Sequence, residues 1–302
     1  MKPLPRLPTV RDLIKLYGLG AKSQLGQNFI LDKNVTDKIV RCADISDPDS
    51  AVLEVGPGPG LLTRSLLETG VRAVIAVEKD ARFLPSLNQL ADATDSRLKI
   101  INEDVLKLDY AQVLEALNTH TVPGSPVQTL HIMGNLPFNI ATPLLLQWLH
   151  ALSTSSGIFG HMNTSFTLMF QKELAERLVA PPGTGNRGRL SITVQSLCHA
   201  KMAYQLPSTS FVPRPKVDAG VVHLTPRPTS LLQVPLSSLE YVMRFFFSYR
   251  RKTLGRIIKN LDAQYLPWLD ACDLDPQLRP QDLTNEQANQ LAKVVIESKV
   301  AL

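Results

Sequence analysis

Five short apolar runs, interleaved with helix-length stretches, restrict this chain more than any other feature. They are Ala51–Val55 (AVLEV), Arg72–Glu78 (RAVIAVE), Leu98–Ile101 (LKII), Thr129–Met133 (TLHIM) and Ser165–Gln171 (SFTLMFQ). Each has strand length and is apolar through its middle, as expected of strands covered on both faces. Leu61–Glu68, Asp80–Ala91, Thr142–Leu152 and the KELAERLVA stretch after Gln171 read as helices. Alternating strands and helices predict an α/β fold, with a parallel sheet and helices on both faces. Ligands on such sheets bind beyond the carboxyl ends of the strands. Gly56, Glu78, the Asp104 region and Asn135 each fall at or just after a strand end. Four distant segments should therefore meet in one crevice.

The first strand runs into EVGPGPG, which places Gly56, Gly58 and Gly60 between strand and helix. Glycines there let backbone turn sharply and approach a ligand closely. The spacing is G-x-G-x-G. The dinucleotide fingerprint would need its third glycine at the position of Leu61, and no phosphate-binding lysine follows. A nucleoside cofactor without phosphates suits this loop, whose bland alternative is a Gly/Pro turn. Glu78 closes the second strand, 18 positions after Gly60, where an acid commonly accepts hydrogen bonds from ribose hydroxyls. Asp104, in NEDV, can accept from an exocyclic adenine amine or simply cap a helix. Together these residues describe an adenosyl site without phosphate recognition, which points to S-adenosylmethionine.

Asn135-Leu136-Pro137-Phe138 ends the fourth apolar run. Asn is a poor strand residue and Pro cannot donate to a sheet ladder, so a plain turn is one reading. The sharper one is a pocket for a flat amine. An adenine amine is a weak nucleophile because its lone pair is delocalised into the ring. Hydrogen bonds to the Asn135 side-chain oxygen and the Leu136 carbonyl would favour a pyramidal nitrogen, with its lone pair aimed at a sulfonium methyl. That is catalysis by positioning and fixed dipoles. Phe138 can stack on a base taken out of its helix.

The hydrophobic share of 44% supports a packed core, and no run of 18 apolar residues exists to span a membrane. Net charge is +5, which permits a polyanionic partner. Cys42, Cys198 and Cys272 lie far apart with no zinc-like spacing, so they are expected to be reduced and buried, and no metal is expected. The N-terminus carries Lys2, Arg6, Arg11, Lys15 and Lys22 against Asp12. This pattern fits both an organelle-targeting segment and a structured basic arm. Thr9–Tyr17 reads as a short helix, and Asn34 as the N-cap of a following one. Past Arg227 the texture becomes linker-like (Pro226, Pro228, Pro235) and then helical, over Leu239–Leu261 and Asn285–Ser298. Two domains are expected: 1–228, cofactor-binding and catalytic with the basic arm, and 229–302, small and helical.

Ten stretches occur in the order found in the ribosomal RNA adenine N6,N6-dimethyltransferases. These are QLGQNFILD, EVGPGPG, VEKD, NEDVL, GNLPFNIATPLL, FQKELAERLVA, RLSITVQSL, SFVPRPKVDAGVVHL, RRKTL and LDPQLRPQDLT. The resemblance covers nearly the whole chain. GPGPG, VEKD and Phe138, where Tyr is more usual, resemble the mitochondrial branch. It implies a Rossmann-like S-adenosylmethionine-dependent methyltransferase sheet with a small C-terminal helical domain contacting RNA or ribosome. It also implies that Gln27, Asn28 and Ile30 lie over the cofactor, that Lys79, Val105 and Asn135 contact it beside Gly56, Gly58, Glu78 and Asp104, and that Phe211 sandwiches the target adenine with Phe138. From the residues alone, Phe211 reads as a core or loop anchor. The implied substrate is a hairpin loop near the 3′ end of small-subunit rRNA, in which two adjacent adenosines are dimethylated. The implied setting is the mitochondrial matrix, with the immature small subunit as partner, a possible link to the transcription machinery, and a monomeric enzyme.

Two acid-free basic runs suit phosphate contacts. Arg177–Lys216 contains Arg187 and Arg189 in a PPGTGNRGR loop expected to be flexible; Tyr241–Leu261 contains Arg250, Arg251 and Lys252. These five are the candidate RNA-binding residues, and Phe245–Phe247 is expected to be core. The competing reading is a non-catalytic ribosome-assembly or transcription factor that keeps the fold; its signature would be a broken glycine loop, or loss of Glu78 or Asn135. A DNA adenine methyltransferase would need a target-recognition region larger than the helical tail.

Overall fold

The computed structural model describes residues 4–5, 7–22, 26–45, 47, 49–118, 127–300 and 302. Lys2 and Arg6 of the basic N-terminus lie outside the described residues. The chain divides into two compact units. The first holds residues 1–175 and 202–224, and the second 176–201 and 225–302.

The strands are β1 (Phe29–Ile30), β2 (Ala51–Val55), β3 (Ala73–Val77), β4 (Leu98–Ile101), β5 (Thr129–Gly134), β6 (Asn163–Gln171), β7 (Cys198–Leu206), β8 (Phe211–Val212) and β9 (Ala219–Pro226). Seven of them form one sheet in the order β4-β3-β2-β5-β6-β9-β7, and β1 pairs with β8 in a separate two-stranded ribbon. The five strands legible in sequence run parallel to one another. The sheet is nevertheless mixed, because β9 runs antiparallel to β6. Every residue of β2 and β3 is buried, which requires cover on both faces. Val52, Val74, Met133, Met169 and Val221 pack on one side with Ile39, Val40, Leu62 and Leu66, residues of α2 (Lys33–Arg41) and α3 (Leu61–Glu68).

Several local expectations shift. Asp32, not Asn34, caps α2, its carboxylate accepting the Asn34 backbone N–H. The helix expected from Thr142 is α6 (Phe138–Ser153) and starts directly after Pro137. Proline suits that start, because its missing N–H would have no intrahelical partner there. The long C-terminal helix is broken into α9 (Leu236–Ser248) and α10 (Leu254–Leu261). Of Phe245–Phe247 only Phe246 is fully buried; of the cysteines only Cys198 is, its thiol pushed up to about 12 by burial.

In the second unit, α8 (Arg189–Leu197) packs with α9 and α12 (Asn285–Glu297). Asn289 donates from its amide to the Ser196 hydroxyl at 2.8 Å. Residues 176–201 thus belong by packing with the C-terminal helices. A division at 228/229, read from the composition change, puts them with the sheet, because nothing in their composition marks the excursion.

Glu54 sits in the middle of β2, fully buried, and neither carboxylate oxygen has a hydrogen-bond partner. Burial raises its pKa to about 8; the nearby Thr63 hydroxyl pulls the other way without forming a hydrogen bond, and the Glu78 charge adds to the rise. Between the ordinary value of 4.5 and 8, the folded protein keeps a proton that the unfolded chain releases. The stability from this group is whole below the lower value and is lost as pH climbs through the upper one. At about 1.4 kcal/mol per unit the loss is roughly 5 kcal/mol. Thermal melts of Glu54→Gln should therefore show a flatter dependence of Tm on pH from about 5 to 8 than the parent. Equal slopes would mean the fold accommodates an ionised Glu54.

Candidate active site

Four loops after strand ends meet in the first unit. Gly56, Gly58 and Gly60 carry β2 into α3 with φ of +68°, +53° and +86°, left-handed values that side chains resist. Glu78 follows β3 directly, Asn135 follows β5 directly, and Asp104 lies three residues beyond β4. Gly134 lets two of these loops come together. A Cβ on it would sit 2.6 Å from the Val55 carbonyl oxygen, so only glycine allows β5 to bring Asn135 beside the glycine loop.

These loops border a cleft of about 240 Å³. Every residue expected at the cofactor lines it: Gln27, Asn28 and Ile30, Gly56 and Gly58, Glu78 and Lys79, Asp104 and Val105, and Asn135. So do Leu136, Pro137, Phe138 and Phe211. Glu78 is 5% exposed. One of its oxygens accepts the Gly58 N–H at 3.0 Å and the other the Asp80 N–H at 2.7 Å. Burial pushes its pKa up, against the pull of those two donors. The carboxylate thus pins the glycine loop and keeps further lone pairs for a ligand's hydroxyls. Asp104 takes the capping role, and it also lines the cleft. Its Oδ1 accepts the Leu106 N–H at 3.1 Å, capping the short turn Val105–Lys107, and the carboxylate also faces the cleft. Lys79 Nζ lies 2.8 Å from Asp104 Oδ2 and holds its pKa below the usual carboxylate range.

Asn135 donates from its side-chain Nδ2 to the Asn28 carbonyl at 2.7 Å. Only the amide nitrogen can donate to a carbonyl, so its Oδ1 is left as an acceptor. Phe138 is half-buried at the start of α6. Phe211 reaches the cleft through the small ribbon, with Ile30 opposite Phe211 and Phe29 opposite Val212. It is 3% exposed and packs with Ile30, Met133 and Met169, so it is both a core residue and a wall of the cleft. Sequence reasoning missed Asp80 and Arg82, which tie the Gln27 segment down. The signal was present in VEKDAR, but their partners lie more than fifty residues away in the chain.

Among the RNA-binding candidates, Arg187 requires correction. It is fully buried, and its guanidinium donates to the carbonyls of Ala180 and Leu283 and to the side chains of Gln195 and Asn285. It therefore staples its loop to α12 of the second unit and presents nothing to a phosphate. Burial lowers its pKa to about 10. Arg250 is half-buried and donates to the Gln281 side chain and to the backbone of Gly185 and Arg187, a second staple on the same loop. Arg189, Arg251 and Lys252 are exposed, and Lys252 Nζ lies over the Tyr249 ring at 5.3 Å.

A glycine loop and two acids, Glu78 and Asp104, gathered at the carboxyl end of this sheet are the arrangement of an S-adenosylmethionine-dependent methyltransferase. The cleft fits that cofactor: its polar groups include carboxylates suited to hydroxyls and an amine, and its walls are apolar (Ile30, Leu62, Val77, Val105, Met169). The model of the family described as ribosomal RNA adenine dimethylase matches residues 18–297, and the chain belongs to that family, whose members are S-adenosylmethionine-dependent rRNA adenine dimethyltransferases. It is 43% identical over 298 residues to the human dimethyladenosine transferase 1, mitochondrial, covering 96% of this chain and 85% of that protein. It is 40% identical over 326 residues to the protein of the same name from Vermamoeba vermiformis, covering 96% and 94%. A dimethyladenosine transferase from Plasmodium falciparum superposes with a TM-score of 0.66 at 24% identity, over 89% of this chain and 98% of that one. The 23S rRNA methyltransferase ErmE does so at 0.64 and 22%, over 89% and 100%. These two likenesses bear on the fold alone.

Proposed function

We propose that this protein dimethylates N6 of two adjacent adenosines in a hairpin loop near the 3′ end of mitochondrial small-subunit rRNA. It would act in the matrix, as a monomer, on the immature small subunit. The mitochondrial setting is supported by the names of the relatives. Among the described residues no helix is long and apolar enough to cross a membrane.

The hydrogen bond from Asn135 Nδ2 to the Asn28 carbonyl carries the catalytic reading. It fixes the amide so that Oδ1 accepts from the adenine N6–H, while the Leu136 carbonyl accepts the second N6–H. The two acceptors hold the nitrogen pyramidal. Phe138 and Phe211 take the two faces of the extruded base, and Pro137 stiffens the turn between Asn135 and Phe138. Glu78 holds the ribose hydroxyls and Asp104 the adenine amine of the cofactor. Gly56 and Gly58 allow close backbone approach, and Gln27, Asn28, Ile30, Lys79 and Val105 complete its surroundings. S-adenosylmethionine supplies an electrophilic methyl on a sulfonium. The exposed Arg189, Arg251 and Lys252 on the helical unit contact RNA phosphates.

Methyl-labelled S-adenosylmethionine, incubated with the protein and a small-subunit 3′ hairpin, should yield labelled N6,N6-dimethyladenosine. A hairpin with both loop adenosines replaced by guanosine should take no label. Cofactor binding without transfer to either the hairpin or immature small subunits would favour the non-catalytic assembly-factor reading.

A further inference from the structure

Hydrogen bonds, joined by the peptide link from Gln27 to Asn28, run from Glu78 to the amide of Asn135, and Asp80 and Arg82 in the middle have no assigned role. Glu78 Oε1 accepts the Asp80 N–H at 2.7 Å. The Asp80 carboxylate is gripped by Arg82, Nε to Oδ1 at 2.9 Å and Nη2 to Oδ2 at 2.6 Å. Its Oδ2 also accepts from the Gln27 amide at 3.1 Å. Arg82 Nη1 donates to the Gly20 carbonyl at 3.1 Å, and the Gln27 side-chain oxygen accepts the Lys22 N–H at 2.9 Å. One residue beyond Gln27, the Asn28 carbonyl accepts from Asn135.

The pattern is that of a fastened strap. Gln27 is tied on one side, by its side-chain amide, to Asp80 beyond the end of β3, and Asn28 on the other, by its carbonyl, to Asn135 at the end of β5, while Arg82 holds the Gly20 carbonyl and the Gln27 side chain holds the Lys22 N–H. The strap also fits closely where it crosses the Asn135–Asn139 turn. Gly26 has φ +63°, and a Cβ there would lie 3.3 Å from Asn139 Oδ1. Asp80 is 7% exposed, so its bonds to Arg82 and Gln27 are sheltered and charge-assisted, the stronger kind. Arg82 holds the Asp80 pKa down near 2, so this tie stays charged at any working pH. Gln27 lines the cofactor cleft, yet both ends of its amide are engaged by Asp80 and Lys22. Its contribution is to hold the strap.

We propose that the Asp80–Arg82 pair is a clasp that fastens the strap over the cofactor cleft and, through the Asn28 carbonyl, sets the orientation of the Asn135 amide. Asp80 and Arg82 are positioning residues, and neither touches the reacting atoms. The effect on the cofactor follows from the clasp alone, whereas the effect on turnover rests also on the catalytic reading of Asn135. Opening the clasp acts twice. The strap loosens over the cofactor, which then leaves faster. The Asn28 carbonyl moves away from the Asn135 amide, which then turns freely and presents its oxygen for only part of the time.

The test uses the full chain with Asp80→Ala, Arg82→Ala and the conservative Arg82→Lys. Three quantities are measured: the Kd for S-adenosylmethionine without RNA, kcat on the hairpin at saturating cofactor, and the rate of tryptic cleavage after Lys22. The alanine variants should weaken cofactor binding by roughly tenfold or more, as expected for loss of charge-assisted bonds. They should speed tryptic cleavage after Lys22, which is already exposed in the parent, and lower kcat. Arg82→Lys, which keeps the charge and one bond, should recover part of all three. Cofactor also should protect Lys22 in the parent and fail to do so in Asp80→Ala. Parent-like Kd and Lys22 cleavage in folded alanine variants would overturn the clasp. A raised Kd with unchanged kcat would overturn its link to Asn135. Should Asp80→Ala fail to fold, Arg82→Lys alone decides, because unchanged Kd and cleavage there mean that the fork of Arg82 holds nothing. A parent hairpin inactive from the outset would sink the catalytic reading and leave the Kd and cleavage results standing.

Discussion

Asn135→Ala should lose methyl transfer by about a thousandfold in kcat, the scale seen when a preorganised hydrogen-bonding group is removed from a reacting centre. The change removes both ends of the amide. The donor that ties it to the Asn28 carbonyl disappears, and so does the acceptor proposed for N6–H. Cofactor affinity should change far less, by less than about tenfold, because Glu78 and Asp104 remain. Asn135→Asp separates the two ends: it keeps an acceptor oxygen but loses the donor, so it should fall between the parent and Asn135→Ala. Single-turnover transfer to the hairpin, measured beside the Kd for S-adenosylmethionine, reads both effects. A kcat within tenfold of the parent would remove Asn135 from the chemistry, whatever happened to Kd.

Glu78→Gln should have the opposite profile, with the Kd for S-adenosylmethionine raised about a hundredfold and saturated turnover less affected. Hydrogen bonds to a charged group are worth about 1.5–3 kcal/mol each. Glu78 accepts Gly58 N–H and Asp80 N–H with different oxygens, and a glutamine amide must turn its NH₂ toward one of those donors. The substitution therefore weakens the ribose contacts and unpins the glycine loop together. The pH dependence has a defined sign. Burial raises the Glu78 pKa, and only the ionised carboxylate accepts with both oxygens. Cofactor affinity should hold above that raised value and fall as pH drops through it, a dependence that Glu78→Gln should lack. A Kd unchanged by substitution, or parallel pH profiles for parent and variant, would place the ribose elsewhere.

Legibility in the sequence followed how local each signal is. β2 and β3 were readable to within a residue because a strand buried on both faces needs a short, mostly apolar run, and β4 was readable from the short run LKII although only Leu98 of it is buried. β7 and β9 were not, since β7 is buried only at its two ends and β9 is placed by its antiparallel pairing with β6. The glycine loop, Glu78, Asp104 and Asn135 could be placed because strand ends on such a sheet share one edge. Phe211 came only from resemblance. What brings it to the cleft is its pairing with Ile30, 181 positions earlier in the chain.

The basic residues show the same limit from the other side. Charge in the sequence marked Arg187 and Arg189 alike, two positions apart. Burial separates them: Arg187 has its guanidinium satisfied by carbonyls and amides of the second unit, while Arg189 stands in solvent. A sequence carries the chemical type of each side chain and the local period that buries or exposes it. By itself that determined the α/β class and the sheet edge at which the glycine loop, Glu78, Asp104 and Asn135 meet. Which donor meets which acceptor across fifty or a hundred residues was decided only by the tertiary structure, because chain folding alone brings Asp80 to Gln27, Asn28 to Asn135 and Arg187 to Leu283.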